Sequence, residues 1–246
     1  LPRIRTTTRG LALFAILALN AIAFTTTASA VEVVLLTELL PVPAIEKPVT
    51  FTDKGGTTVI TALGAATPEI TCEKNTSAGN FTTPKLGKDE IKFEKCKSTT
   101  FPCEDLGKTL KEGIVTKGTV HVQTALLTGT QVAAFVFLPE ALHFTCGLLL
   151  FLILQIPEDP SCFAGQILQP NTLTKTIKVH LIQNPTSAGD QDITEVYNDK
   201  DEKYSCKLLF NGNEGKAVDA AIEQIGNEEL EGFKLNGAPV EALIMF

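Results

Sequence analysis

Short runs in which apolar and polar side chains alternate recur along most of the chain. They fall at residues 57–63, 69–73, 90–96, 119–126, 131–138, 141–146, 174–182 and 204–210. In 90–96, for example, Ile91 and Phe93 share one phase while Lys92 and Glu94 take the other. A period of two puts successive side chains on opposite faces of a strand, and Gly, Pro, Asn and Asp punctuate the runs as turns do. The chain holds 31 Thr, a β-branched residue that suits a half-buried pleated surface better than a helix face. The pattern predicts an all-β, antiparallel domain, barrel-like or sandwich.

Three segments depart from this rhythm. Residues 31–56 carry Pro41, Pro43 and Pro48 and end in Gly55-Gly56, which predicts an extended N-terminal arm ahead of a single domain over 57–246. Residues 147–156 (GLLLFLILQI) are almost continuously apolar; ten residues are half a membrane span, so a strand buried on both faces is expected. Residues 214–225 place Val218, Ala221, Ile222 and Ile225 at helical spacing. One short C-terminal helix fits them, and an alternating strand fits nearly as well.

Residues 1–30 read as an address. Arg3, Arg5 and Arg9 precede an apolar stretch of fourteen, residues 11–24, and then Ala28-Ser29-Ala30. Positive flank, short apolar core and small-x-small site are the parts of a secretory signal peptide cleaved near Ala30. The stretch is too short for a membrane anchor, so no transmembrane segment is expected in the mature chain. The full chain has 21 basic and 28 acidic residues, a net charge of −7. The leader holds three of the basic residues and none of the acidic ones, which leaves −10 on the mature protein. That sign excludes nucleic acid as a partner.

Export gives the cysteines their meaning. Cys72, Cys96, Cys103, Cys146, Cys162 and Cys206 all lie beyond the leader, and an even count in an exported chain reads as structural disulfides. No C-x-x-C pair supports a metal site. Six cysteines allow fifteen connectivities, and spacing alone does not choose among them. The turn-prone residues 97–102 favour joining Cys96 to Cys103; the preferred set is 96–103, 72–146 and 162–206.

Candidate chemistry is sparse. His121, His143 and His180 each sit in a β-prone run without a second His at ligand spacing, so a zinc site is not predicted. Neither G-x-S-x-G nor H-E-x-x-H occurs. Gly107-Lys108-Thr109 lacks the first Gly of a phosphate loop, which is Pro102 here. Asp190, Asp192, Asp199, Asp201 and Glu202 lack the Gly and closing Glu of a calcium loop and read as a solvated acidic stretch. No Trp and two Tyr leave little surface on which a sugar can stack. Asn75-Thr76-Ser77 and Asn80-Phe81-Thr82 match the glycosylation pattern, which matters only in a eukaryotic pathway. No catalytic, cofactor-binding or metal-binding residue is assigned.

Several short pieces form a further pattern: Leu39-Leu40-Pro41, Gly56-Thr57-Thr58, Ile70-Thr71-Cys72, IKFEKC ending at Cys96, Phe101-Pro102-Cys103, HFTC ending at Cys146, and QPNTLTK over 169–175. Over roughly residues 39–246 this resembles a group of exported, Cys-containing proteins that soil actinobacteria carry in many copies. The resemblance implies a β-rich exported protein and brings no activity with it. Cys162 and Cys206 are additional to the pattern, which implies that they pair with each other. The expected function is a non-enzymatic structural or binding role in the extracellular space or cell envelope. Two alternatives remain open. One is a carrier of a small apolar ligand in a barrel lined by 132–138 and 148–154; the other is a hydrolase without a recognisable motif.

Overall fold

The computed structural model describes residues 32–36, 48–62, 69–99, 101–105, 112–140, 144–147, 162–183, 193–197, 203–211 and 217–246. Along the chain come β1 (Glu32–Leu36), β2 (Val49–Gly55), β3 (Thr58–Ala62), β4 (Ile70–Cys72), β5 (Lys74–Phe81) and β6 (Leu86–Glu94). There follow β7 (Lys97–Ser98), β8 (Phe101–Asp105), β9 (Gly113–Leu127), β10 (Thr130–Pro139), β11 (Phe144–Cys146), β12 (Phe163–Ile167) and β13 (Ile177–Gln183). The C-terminal part holds β14 (Ile193–Tyr197), β15 (Lys203–Ser205), β16 (Leu208–Asn211), β17 (Ala217–Gln224), β18 (Glu228–Leu235), β19 (Ala238–Pro239) and β20 (Glu241–Met245). Among the described residues there is no helix.

Eight of these strands close into an antiparallel barrel in the order β2-β5-β6-β9-β10-β12-β13-β18 and back to β2. The ring follows chain order, with detours. β3-β4, β7-β8, β11 and β16-β17 leave the barrel and form a second antiparallel sheet, ordered β16-β17-β3-β4-β7-β8-β11. Closure leaves the barrel without a free edge. β1 and β20 make a separate parallel pair.

Alternation sets the faces. On β2, Val49, Phe51 and Asp53 are buried while Thr50, Thr52 and Lys54 are exposed. Phe51 is the hub of the interior: its ring centroid lies 5.1 Å from Phe81, 6.2 Å from Phe233 and 6.3 Å from Phe135. Phe137 stacks on Phe163 at 5.6 Å. These rings share one core with Ile60, Ile70, Phe144 and Ile222 of the second sheet. A smaller cluster, with Ala134, Val136, Ala164, Ile193 and Val196, covers the other face of β10. The chain thus folds all-β and antiparallel, and of the two expected architectures the barrel is the one adopted.

Three expectations change. The segment 214–225 is strand where described: β17 pairs with β16 on one side and β3 on the other, and two ladders outweigh a helical spacing that also reads as alternation. Residues 49–55, assigned above to an arm, form β2, whose inward Val49 and Phe51 are core residues; the domain boundary at residue 57 therefore falls inside the barrel. The disulfides are Cys72–Cys96, Cys103–Cys146 and Cys162–Cys206. Only the last matches the preferred set. The 97–102 turn does bring the backbones of Cys96 and Cys103 together, with Cys103 N–H donating to Cys96 C=O at 2.8 Å. In the sheet, however, Cys103 lies directly opposite Cys146, and Cys96 follows β6 where β4 ends at Cys72. The leader (1–30), most of 147–156 and the acidic residues Asp190, Asp192, Asp199, Asp201 and Glu202 lie outside the described residues.

Candidate functional site

A trough of about 530 Å³ runs across the outer face of β18, β2, β5, β6 and β9. Two outward rows build it. Lys234, Thr50, Asn80 and Lys88 stand side by side on four strands. The next row is Thr52, Ala78, Glu90 and Lys117, with Glu140 beside Lys117. The centre is shallow because Thr50, Thr52 and Ala78 are small; long charged side chains form the ends. Lys117 pairs with Glu90 at 3.2 Å. Lys88 and Lys234 make no ion pair among the described residues.

The floor is backbone, and its composition has a reason. Gly79, Asp89 and Gly118 are register partners on β5, β6 and β9, all in the inward phase. A Cβ on Gly79 would sit 2.6 Å from the Lys88 carbonyl and press on the Phe51 ring. A Cβ on Gly118 would reach 2.8 Å from the Phe137 ring. Both glycines make room for aromatic rings on either side of the Asp89 side chain.

Beneath the floor lies a chain of polar side chains in the barrel interior. Ser77 Oγ contacts Oδ2 of both Asp53 and Asp89, the latter at 2.9 Å. Asp53 in turn shares a hydrogen bond with Glu228. Gln224, with its amide oriented to satisfy both ends, donates to Glu228 Oε2 at 3.3 Å and accepts from Gly56 N–H at 3.1 Å. Asn75 Nδ2 donates to Thr58 Oγ1 at 3.1 Å alongside. Asp53, Ser77 and Asp89 are only 5, 7 and 4 % exposed. Glu228 is half-buried as a residue, with its carboxyl enclosed.

Burial dominates the electrostatics. Loss of water raises Asp53 to about 6, against the pull of hydrogen bonds from Ser77 and Glu228. It raises Asp89 to about 7, and the neighbouring Asp53 charge adds to the effect. Glu228 is pushed well above its ordinary range by the same burial and by Asp53. No buried lysine, arginine or histidine offsets them among the described residues. The lysines of these strands face outward, and some pair there, as in Lys54–Glu231 at 2.9 Å and Lys74–Glu94 at 2.9 Å.

None of the polar residues weighed in the sequence belongs to this chain of acids except the Asn75-Thr76-Ser77 motif. There the side chain of Asn75 points into the interior, 1 % exposed, where no glycan can be attached. His121 and His180 lie on β9 and β13, and His143 lies outside the described residues. Among the described residues no group of three or more His, Cys, Asp or Glu is arranged to hold a metal ion. A signal for the acids was present: Asp53 falls in the phase of Val49 and Phe51, and Asp89 in the phase of Ile91 and Phe93. A carboxylate on the apolar phase of a strand marks a buried charge.

No protein-family model, curated protein or solved structure matches the chain. Its three disulfides accord with an oxidising location, extracellular or in the envelope.

Proposed function

We propose that the protein is exported through its N-terminal leader and acts outside the cell or in the envelope as a non-enzymatic binding protein. The trough across β18, β2, β5, β6 and β9 carries this reading. It lies on a sheet that closes on itself, so its walls are held in place before a ligand arrives. The row from Lys234 to Lys88 spans three inter-strand gaps, about 14 Å. With a hydroxyl and an amide between two uncommitted ammonium groups, it suits a polar ligand bearing carboxylate or phosphate. An apolar ligand inside the barrel is less well served, because Phe51, Phe81, Phe135 and Phe233 fill the space around the hub. Hydrolysis is less well served too, since the Asp53, Ser77 and Asp89 side chains sit where a substrate has little access.

Two measurements test this. Expression of the full chain in a secreting bacterium should deliver a product to the medium or envelope that begins after Ala30; retention in the cytoplasm with the leader intact would refute the export half. Purified protein should be held by cell-wall sacculi. Ala78→Trp, which fills the trough, and the Lys88→Gln/Lys234→Gln pair should each release it. Equal retention of all three proteins, or none, would refute the binding half.

A further inference from the structure

The contacts of Ser77 set a condition on protons. A hydroxyl has one hydrogen, yet Ser77 Oγ lies in hydrogen-bond contact with a carboxyl oxygen of Asp53 and with one of Asp89. One of those contacts is attractive only if the carboxyl itself carries a proton. The Asp53–Glu228 contact joins two carboxyls and needs a proton for the same reason. We propose that this interior chain is a proton-loaded lock on the β18-β2-β5-β6 seam, holding two protons among three carboxyls and loosening when the surroundings turn alkaline.

The directions follow from what each atom can donate. Glu228 donates to Asp53, Ser77 donates to Asp53, and protonated Asp89 donates to Ser77. Asp53 is then the single ionised member, accepting two hydrogen bonds. Loss of water favours protons on all three, raising Asp53 to about 6, Asp89 to about 7 and Glu228 well above its ordinary range. Among the described residues the buried polar groups on the neighbouring strands are neutral: Asn75 and Ser77 on β5, Thr58 on β3, Thr116 on β9 and Gln224 on β17; Glu90, on the outer side of β6, adds its charge to the effect on Asp89. Oδ1 of Asp53 and Oδ1 of Asp89 have no hydrogen-bond donor among the described residues. A second negative charge would therefore enter the interior unsolvated, one hydroxyl away from the first.

The sign is that of an acid-favoured fold. Carboxyls whose folded-state affinity for protons exceeds that of the unfolded chain stabilise fully below about pH 4 and lose that contribution as pH rises through about 6 to 7.

The test uses the disulfide-bonded protein. Infrared spectra at about pH 5 and about pH 8 should show a protonated-carboxyl band that shrinks at the higher pH. The unfolding midpoint should fall over the same interval. Asp89→Asn, which keeps a donor to Ser77 but cannot ionise, should shrink the band change and flatten the fall. Amide exchange, corrected for its intrinsic pH dependence, should speed up selectively on the β5–β6 ladder of the wild type. If Asp89→Asn does not fold, the wild-type infrared and exchange measurements still decide. Absence of a protonated-carboxyl band at near-neutral pH, or equal pH dependence in wild type and Asp89→Asn, would overturn the proposal.

Discussion

The three disulfides close loops that follow one another without overlap, and this makes their energetics unusually separable. Cys72–Cys96 spans 24 residues, Cys103–Cys146 spans 43, and Cys162–Cys206 spans 44. In the chain-entropy picture these loops correspond to about 3.5, 4 and 4 kcal/mol of restricted unfolded-state freedom. Since no loop contains another, the contributions add to roughly 11 kcal/mol, comparable with the whole stability of a typical domain, about 5–15 kcal/mol. Replacing Cys72 and Cys96 together by Ala should lower the unfolding free energy by about 3–4 kcal/mol in urea titration, with the fold retained. Removing that pair and Cys162–Cys206 together should cost the sum, within about 0.5 kcal/mol. Full reduction should unfold the chain at room temperature. A Cys72/Cys96 replacement that costs less than about 1 kcal/mol, or a combined loss far short of the sum, would contradict independent loop-closure contributions. Peptide mapping without reductant checks the connectivity directly: a fragment joining Cys96 to Cys103 would contradict it.

Other outcomes follow from the interior. Phe51→Ala removes the ring that touches Phe81, Phe135 and Phe233 and should cost about 3–5 kcal/mol in denaturant titration. Gly79→Ala forces a methyl against the Phe51 ring and the Lys88 carbonyl, and should cost about 1–3 kcal/mol although it adds only one carbon. The rise of Asp89 from 3.8 to about 7 corresponds to about 4 kcal/mol of proton-linked stability, present in acid and gone above neutrality, which denaturant titrations across pH will read. Breaking the exposed pair Lys54–Glu231 by Lys54→Ala should leave the denaturation midpoint nearly unchanged, with a smaller effect again in high salt.

Much of the architecture was legible in single residues. Alternation of Ile91 and Phe93 with Lys92 and Glu94 marks β6 and tells which side chains face the core. It does so because a strand has a period of two whatever it pairs with. The same rule, applied to Asp53 and Asp89, points two carboxylates inward. What it does not reveal is that they meet at Ser77, because Asp53 and Ser77 become neighbours only through the β2–β5 register. Glu228 is more distant still along the chain, joining through the β2–β18 pairing. The lead-in segment failed as an arm for a related reason. Its prolines read as a barrier to a helix, and nothing local distinguishes an extended arm from a barrel strand until β5 and β18 pair on either side of β2.

The strand class and the two-residue alternation that puts the side chains of a run on one face or the other are therefore properties of this sequence that hold before any long-range contact forms. They depend on side-chain period and β-branching, which act locally. Closure of eight strands into a ring, the exchange of the expected 96–103 and 72–146 bridges for 72–96 and 103–146, and the meeting of Asp53 and Asp89 at Ser77, with Glu228 joined through Asp53, belong to the folded molecule alone. Each depends on register between segments far apart in the chain, and a shift of one residue in any of those ladders would turn the acids outward and leave Cys103 facing a different neighbour.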